Sequence, residues 1–365
     1  MNLCDLAVDS IAGLQPYVPG KPIEELQRQY GIRDVIKLAS NESPIGPSQA
    51  AQAAIALATR DLTRYPDGNG YSLKLALSEK FTVDAKQITL GNGSNDVLEL
   101  IARCFASPTD EVMFAQHAFA VYSLVSQAIG AKLVEVPAID YGHDLAAMQQ
   151  AITANTKLIF IANPNNPTGT YIPAQEIHAF LQAVPDNVIV VLDEAYVEYG
   201  DEEVNSINWL AEFPNLIICR TFSKAYGLAG LRVGFALSSP EIADLLNRLR
   251  QPFNVNHLAM CAAIAALGDG DYLQRAKQVN AEGMQQYIDG FEAMGLKYIP
   301  SKANFICVDV KTNAAEIYEK LLQQGVIVRP VAGYGLPNHL RISIGLEHEN
   351  QRCLDALANS LSEAK

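Results

Sequence analysis

Apolar residues in this chain gather into short continuous runs separated by stretches of helical spacing. Lys157-Leu158-Ile159-Phe160-Ile161-Ala162 and Asn187-Val188-Ile189-Val190-Val191-Leu192 are apolar at odd and even positions alike, the pattern of strands covered on both faces of a sheet. Gln87 to Leu90 and Glu111 to Phe114 read as further strands, and Asp96 to Arg103 has the spacing of a helix. Such segments alternate from about Leu57 to Asn254, which predicts a mostly parallel sheet flanked by helices. Beyond Asn254 the pattern changes. A helical stretch runs from His257 to about Met294, broken near Gly268-Asp269-Gly270. Short strands are expected at Asn304 to Val308, Gly325 to Val328 and Leu340 to Ile344, with helices from Ala314 to Gln323 and from Glu347 to Ala358. The 365 residues exceed what one core usually supports. The expected fold is therefore α/β in two domains: a large one over 51–255 and a smaller α+β one over 256–365. The segment 1–50, interrupted by Pro16, Pro19, Gly20 and Pro22, is expected to pack on the small domain or on a partner.

Candidate chemistry collects where the apolar runs end. Thr221-Phe222-Ser223-Lys224-Ala225-Tyr226-Gly227-Leu228-Ala229-Gly230-Leu231-Arg232 sets one lysine among apolar side chains, with two hydroxyls and an arginine close in sequence. A desolvated lysine loses its proton more easily, as attack on a carbonyl requires, and hydroxyls plus a guanidinium suit a phosphate. On this segment alone, a surface Lys and Arg beside a Gly-rich turn reads equally well. Asn163-Pro164-Asn165-Asn166-Pro167-Thr168-Gly169 and Asp193-Glu194-Ala195-Tyr196 follow the two longest strand-like runs. In open α/β sheets ligands sit outside such carboxyl ends. Asp193 could keep a pyridine nitrogen protonated, and Asn166 and Tyr196 could donate to a phenolate oxygen. Taken singly, these are an ordinary turn and a helix cap; taken together they supply the parts that one cofactor, pyridoxal phosphate, needs. Gly91-Asn92-Gly93-Ser94-Asn95-Asp96 is a Gly-rich strand-to-helix turn that can aim N–H groups at an anion. It is a poor dinucleotide fingerprint, because Asp96 occupies the third glycine position. Phe119 follows another strand and could stack on a flat ring, though a core aromatic is the default reading.

With these residues assembled, the chain resembles the fold-type I pyridoxal-phosphate aminotransferases, and among them the histidinol-phosphate aminotransferases. The general signatures are NPNNPTG, DEAY and TFSKAYGLAGLRVGF. The narrower ones are QPYVPGKPIEEL, IKLASNESPIGPS, RYPDGNGYSLKLAL, RQPFNVN and VRPVAGYGLPNHLRISIG. The resemblance covers nearly the whole chain. It implies that Lys224 forms the Schiff base with pyridoxal 5'-phosphate, that Asp193 pairs with the pyridinium, and that Asn166 and Tyr196 contact the ring oxygen. It also implies that Thr221, Ser223, Arg232 and the Gly93-Ser94 turn hold the cofactor phosphate, joined by Tyr65 from the other subunit of a homodimer. Arg341 would hold the substrate's acidic group, with Arg329 and Tyr17 as further phosphate contacts. One departure is Phe119, where relatives often carry Tyr. The implied reaction converts histidinol phosphate and 2-oxoglutarate to imidazole-acetol phosphate and glutamate, in histidine biosynthesis. The rival readings are an aromatic-amino-acid aminotransferase and a phosphorylated-amino-acid decarboxylase of the same fold.

Composition changes this picture little. With 49% hydrophobic and 18% charged residues the chain has ordinary globular composition. A net charge of −13 argues against nucleic-acid or anionic-membrane partners, so a phosphate site must be locally positive against an acidic background. The six cysteines are scattered, with no metal-ligand spacing, and the six histidines form no HxH or HExxH pattern; buried reduced thiols and no metal site are expected. The N-terminus lacks a signal-peptide pattern, and the longest apolar run, Leu258 to Leu267, is too short to span a bilayer. A soluble cytoplasmic protein is expected.

Overall fold

A computed structural model of the chain describes residues 3–17, 19–200 and 205–362. The first strand, β1 (Ile36–Lys37), belongs to the N-terminal segment. A seven-stranded sheet follows: β2 (Ile88–Gly91), β3 (Glu111–Ala115), β4 (Lys132–Val136), β5 (Thr156–Ala162), β6 (Ile189–Asp193), β7 (Leu216–Thr221) and β8 (Gly234–Leu237). Its spatial order is β2-β8-β7-β6-β5-β3-β4. Neighbours pair in parallel except β8, which runs antiparallel to both β7 and β2. Every strand but β8 therefore delivers its C-terminal end to one edge.

The continuous apolar runs are explained by a sheet covered twice. Along β5, Ile159 and Ile161 enter one core while Leu158, Phe160 and Ala162 enter another. On β6, Val190 and Leu192 face the first core and Ile189 and Val191 the second. Successive side chains leave a strand on opposite faces, so both sets must be apolar. The helix Ser94–Phe105 covers the second face, burying Val97, Leu98, Ile101 and Ala102.

The smaller unit is built on an antiparallel sheet of β9 (Lys297–Ile299), β10 (Phe305–Asp309), β12 (Arg329–Pro330) and β13 (His339–Ser343), in the order β12-β13-β10-β9. The short β11 (Val326–Ile327) pairs instead with β1, in parallel. Helices Ala314–Gln323 and Glu347–Ser362 pack here, with Ile317, Leu321, Cys353 and Leu357 in the core. Ile36 and Leu38 join that core, and the Leu38 carbonyl accepts from the Ser343 N–H at 2.9 Å. The N-terminal segment is thus sewn into the small unit.

The long helical stretch splits as expected, into His257–Leu267 and Gly270–Ala293. The boundary expected at 255/256, however, cuts off a helix that the larger core holds. Ala259, Ala262, Ala263 and Ala266 lie in the core of the seven-stranded unit, packed against the Ala-rich helix Gln49–Ala58. Small side chains on both helices let the two axes approach closely, a pairing that periodicity alone does not reveal. Among the described residues no helix is long and apolar enough to cross a membrane, and no His, Cys, Asp and Glu side chains gather as a metal-ligand group. The five cysteines with described side chains are free.

Candidate active site

A cavity of about 300 Å³ opens between the C-terminal edge of the large sheet and the small unit. Strand ends set its large-domain wall. The β6 end supplies Asp193, the turn after β5 supplies Asn166, and the turn after β7 supplies Ser223 and Lys224, with Thr221 as the last residue of β7. Phe119 reaches the same space from the turn after β3, and Ser94 from the start of the helix after β2. The small unit adds Arg329 and Arg341, and the N-terminal segment adds Tyr17.

The ionisable groups here are perturbed by burial. Asp193 is pushed up to about 6, chiefly by desolvation, while hydrogen bonds from the Tyr122 hydroxyl (2.7 Å) and the Ala195 N–H (3.2 Å) pull the other way. Lys224 is lowered to about 8, first by burial and then by the Arg341 cation. Its Nζ donates to the Ser40 carbonyl at 3.1 Å. A pKa near 8 leaves part of the amine neutral near neutral pH, the form a nucleophile or base requires.

One end of the cavity is built for an anion. Gly93 caps the helix Ser94–Phe105 at φ +84°, and a Cβ there would lie 2.4 Å from an Arg232 guanidinium nitrogen. Only glycine lets the helix N-terminus, with its unpaired N–H groups, stand beside that cation. Arg232 Nη1 also donates to Ser223 Oγ at 3.3 Å. Asp96, the residue that spoils the dinucleotide fingerprint, holds the turn instead: its Oδ2 accepts from the Asn92 N–H at 2.7 Å and from Asn254 Nδ2 at 2.8 Å.

The other end carries a cation with no acid beside it. Arg341 is 5% exposed. Its guanidinium donates to Asn166 Oδ1 at 2.6 Å and to the Ala39 carbonyl at 2.8 Å, and lies over the Phe305 ring. Its Nε is buried with no partner, and among the described residues no carboxylate pairs with it. Arg329 stands directly opposite Arg341 in the β12–β13 register and lies over the Tyr17 ring.

Most of the candidate residues read from the sequence thus line one cavity. Tyr65 does not: it is 81% exposed and stacks on Phe253 at 4.7 Å, outside this chain's own cavity. Sequence reasoning missed three residues. Tyr122 sits one helical turn after Phe119, fully buried and stacked on Phe160, and its hydroxyl holds Asp193. Ser40 and Asn41 contact Lys224 and Tyr196. The i+3 spacing from Phe119 was the only signal for Tyr122; Ser40 and Asn41 fall within the IKLASNESPIGPS signature, but nothing local tied them to partners more than 150 residues away.

Residues 33–357 match the family described as aminotransferase class I and II. The chain belongs to that family. It is 56% identical over 99% of its length to a histidinol-phosphate aminotransferase of Pseudomonas fluorescens (strain Pf0-1), covering 99% of that protein. It is 55% identical to one of Idiomarina loihiensis, with 98% of each chain covered. Among solved structures, histidinol-phosphate aminotransferase from Sinorhizobium meliloti in complex with pyridoxal-5'-phosphate superposes with a TM-score of 0.92, at 32% identity and 98% coverage of both chains. This aminotransferase presents a matching donor set. A phosphate fits the cradle of Gly93, Ser94, Thr221, Ser223 and Arg232, and the buried Asp193 carboxylate suits a ring nitrogen.

Proposed function

We propose that the protein transfers the amino group of histidinol phosphate to 2-oxoglutarate, giving imidazole-acetol phosphate and glutamate, in the cytoplasm and as a homodimer. The observation that carries this reading is Arg341, a buried guanidinium that lines the cavity with its Nε unsatisfied and no carboxylate paired with it among the described residues. Arg329 lines the same cavity from the position opposite Arg341 on the neighbouring strand. An anionic substrate group would pair the Arg341 cation, and a guanidinium takes phosphate or carboxylate equally well. One pocket therefore serves two substrates in turn, a phosphate ester and a dicarboxylate.

Pyridoxal phosphate, when bound, supplies an electron sink for charge developing on the substrate carbon. The chain's own residues do the rest. Thr221, Ser223, Arg232 and the Gly93-Ser94 turn would hold the cofactor's phosphate, and Phe119 would offer its ring to the cofactor's flat one. Asn166 retains its amide N–H groups for the ring oxygen, because only its Oδ1 is engaged by Arg341. Asp193, fixed by Tyr122, keeps the ring nitrogen protonated. Lys224 Nζ takes the proton from the substrate carbon and returns it, and the lowered pKa suits it to both directions. Arg341 and Arg329 orient the anionic end, with Tyr17 beside Arg329.

The homodimer is supported by Tyr65, which is exposed along with Leu57, Leu62 and Tyr71 in the same stretch. Tyr65 reaches the cofactor phosphate of the partner subunit across that face. Sedimentation checks this: a fully active monomer at micromolar concentration overturns it. The catalytic reading is tested by turnover of histidinol phosphate with 2-oxoglutarate. Histidinol should be a far poorer donor, because it leaves the buried Arg341 cation unpaired. Equal use of histidinol, better use of aromatic amino acids, or carbon dioxide release without a keto acceptor refutes it.

A further inference from the structure

Asn41 lies in none of the roles above, yet each of its polar groups is engaged. It is 1% exposed and adopts a left-handed backbone conformation at φ +55°, one that Asn tolerates better than most residues. Its N–H donates to Ser343 Oγ at 2.8 Å, and Ser343 Oγ donates to Asn41 Oδ1 at 3.1 Å. Its carbonyl accepts from Asn304 Nδ2 at 3.0 Å. These three contacts go to the small unit. The fourth crosses to the large one, where Asn41 Nδ2 donates to the Tyr196 hydroxyl oxygen at 2.9 Å.

The orientation of the amide follows from the network. Ser343 Oγ accepts from the Asn41 N–H, and its own proton has no other acceptor among the described residues than Oδ1, which leaves Nδ2 facing Tyr196. A phenol oxygen that accepts on this side must direct its one proton elsewhere. No other group among the described residues hydrogen-bonds to that hydroxyl, and Tyr196 lines the cavity. Ser343 also stands two residues beyond Arg341 on β13. We infer that Asn41 is a positioning residue: it fixes the Tyr196 hydroxyl proton toward the cavity and ties it to the strand that carries the substrate-binding arginine. The inference rests on the cofactor reading above, in which Tyr196 donates to the bound ring. Burial raises Tyr196 to about 12, so its proton stays on and is available to donate; the Asn41 contact acts against that rise without reversing it.

Two substitutions separate this role from a structural one. Asn41→Gly keeps the left-handed backbone and both main-chain contacts while deleting the donor. Asn41→Asp keeps the shape and the Ser343 contact but presents an acceptor to Tyr196, which turns the proton away from the cavity. Both should lower kcat about ten-fold, as loss of one positioned hydrogen bond does, with KM for the amino donor little changed. In a Tyr196→Phe background neither should lower kcat further. The readout independent of turnover is tyrosine 13Cζ NMR of the cofactor-free protein, with Tyr196 assigned by its loss in Tyr196→Phe. The Tyr196 resonance should shift in both Asn41 variants. An unshifted resonance, or losses that multiply in the double variants, overturns the inference. Absence of transamination in the unaltered protein would instead refute the function on which it rests.

Discussion

On the large-domain side of the cavity, Asp193, Thr221, Ser223 and Lys224 come from the ends of two adjacent parallel strands, β6 and β7. On the opposite side, Arg341 and Arg329 come from an antiparallel pair more than a hundred residues later, and Tyr17 from near the start of the chain. The first group is internally satisfied: Asp193 accepts from Tyr122 and Ala195, and Lys224 donates to Ser40. In the second, Arg341 has only neutral oxygens as partners among the described residues and keeps a buried Nε without one. The large-domain side presents ionisable groups held by hydrogen bonds, whereas the small-domain side presents the buried Arg341 guanidinium, with which no carboxylate among the described residues pairs. Under the proposed function, chemistry and specificity are carried by different parts of the chain.

The sharpest break in this division is Lys224→Ala. Removing the proton carrier should lower turnover by about 10⁴-fold or more, measured by stopped assay with histidinol phosphate, and should remove a borohydride-reducible link to the cofactor. Full retained activity would dissolve the distinction between the two sides. Next comes Arg341→Ala, which deletes a buried charge from the substrate side. It should cost roughly 2–5 kcal/mol in kcat/KM, and should harm both half-reactions because phosphate and carboxylate share the anchor. If only the 2-oxoglutarate half-reaction suffers in single-turnover measurements, Arg341 does not bind phosphate.

Asp193→Asn probes the large-domain side without substrate. The Asp193 carboxyl is raised from 3.8 to about 6 in the folded protein, so the folded state binds a proton more tightly than the unfolded chain. Its stabilising effect is present below about pH 4 and is lost as pH rises through 6, by roughly 3 kcal/mol in all. Urea titrations of the cofactor-free protein at pH 4 and pH 7 should show the variant gaining relative stability at the higher pH. A pH-independent difference would show that Asp193 titrates normally. Arg329→Ala should have the smallest effect, roughly 1.5–3 kcal/mol, or about 10- to 150-fold in kcat/KM for the phosphorylated donor. An unchanged value would make Arg329 an ordinary residue at a strand end and leave Arg341 as the sole anion anchor.

The same two sides differ in how much could be read before folding. Strands β5, β6 and β7 were legible because burial on both faces writes an unbroken apolar run, and Asp193 and Lys224 because chemistry at a strand end interrupts it. Gly93 and Arg232 were legible as an anion turn, though not that one touches the other. The short strands β1, β9 and β12 left no periodic signal over two or three residues. The helix His257–Leu267 looked like the start of the small domain because an apolar helix does not say which core it enters. Arg341 and Arg329 entered the sequence reading only through resemblance, since an isolated arginine in a short strand carries no pattern. What the sequence determined by itself was the sheet, the edge where its candidate catalytic residues gather and the cofactor chemistry, all set by local periodicity and residue type. The tertiary structure alone decided that Tyr122 holds Asp193, that Asn41 joins Tyr196 to Ser343, and that two arginines face each other across β12 and β13. Those contacts depend on register and on long-range packing, and no local pattern encodes either.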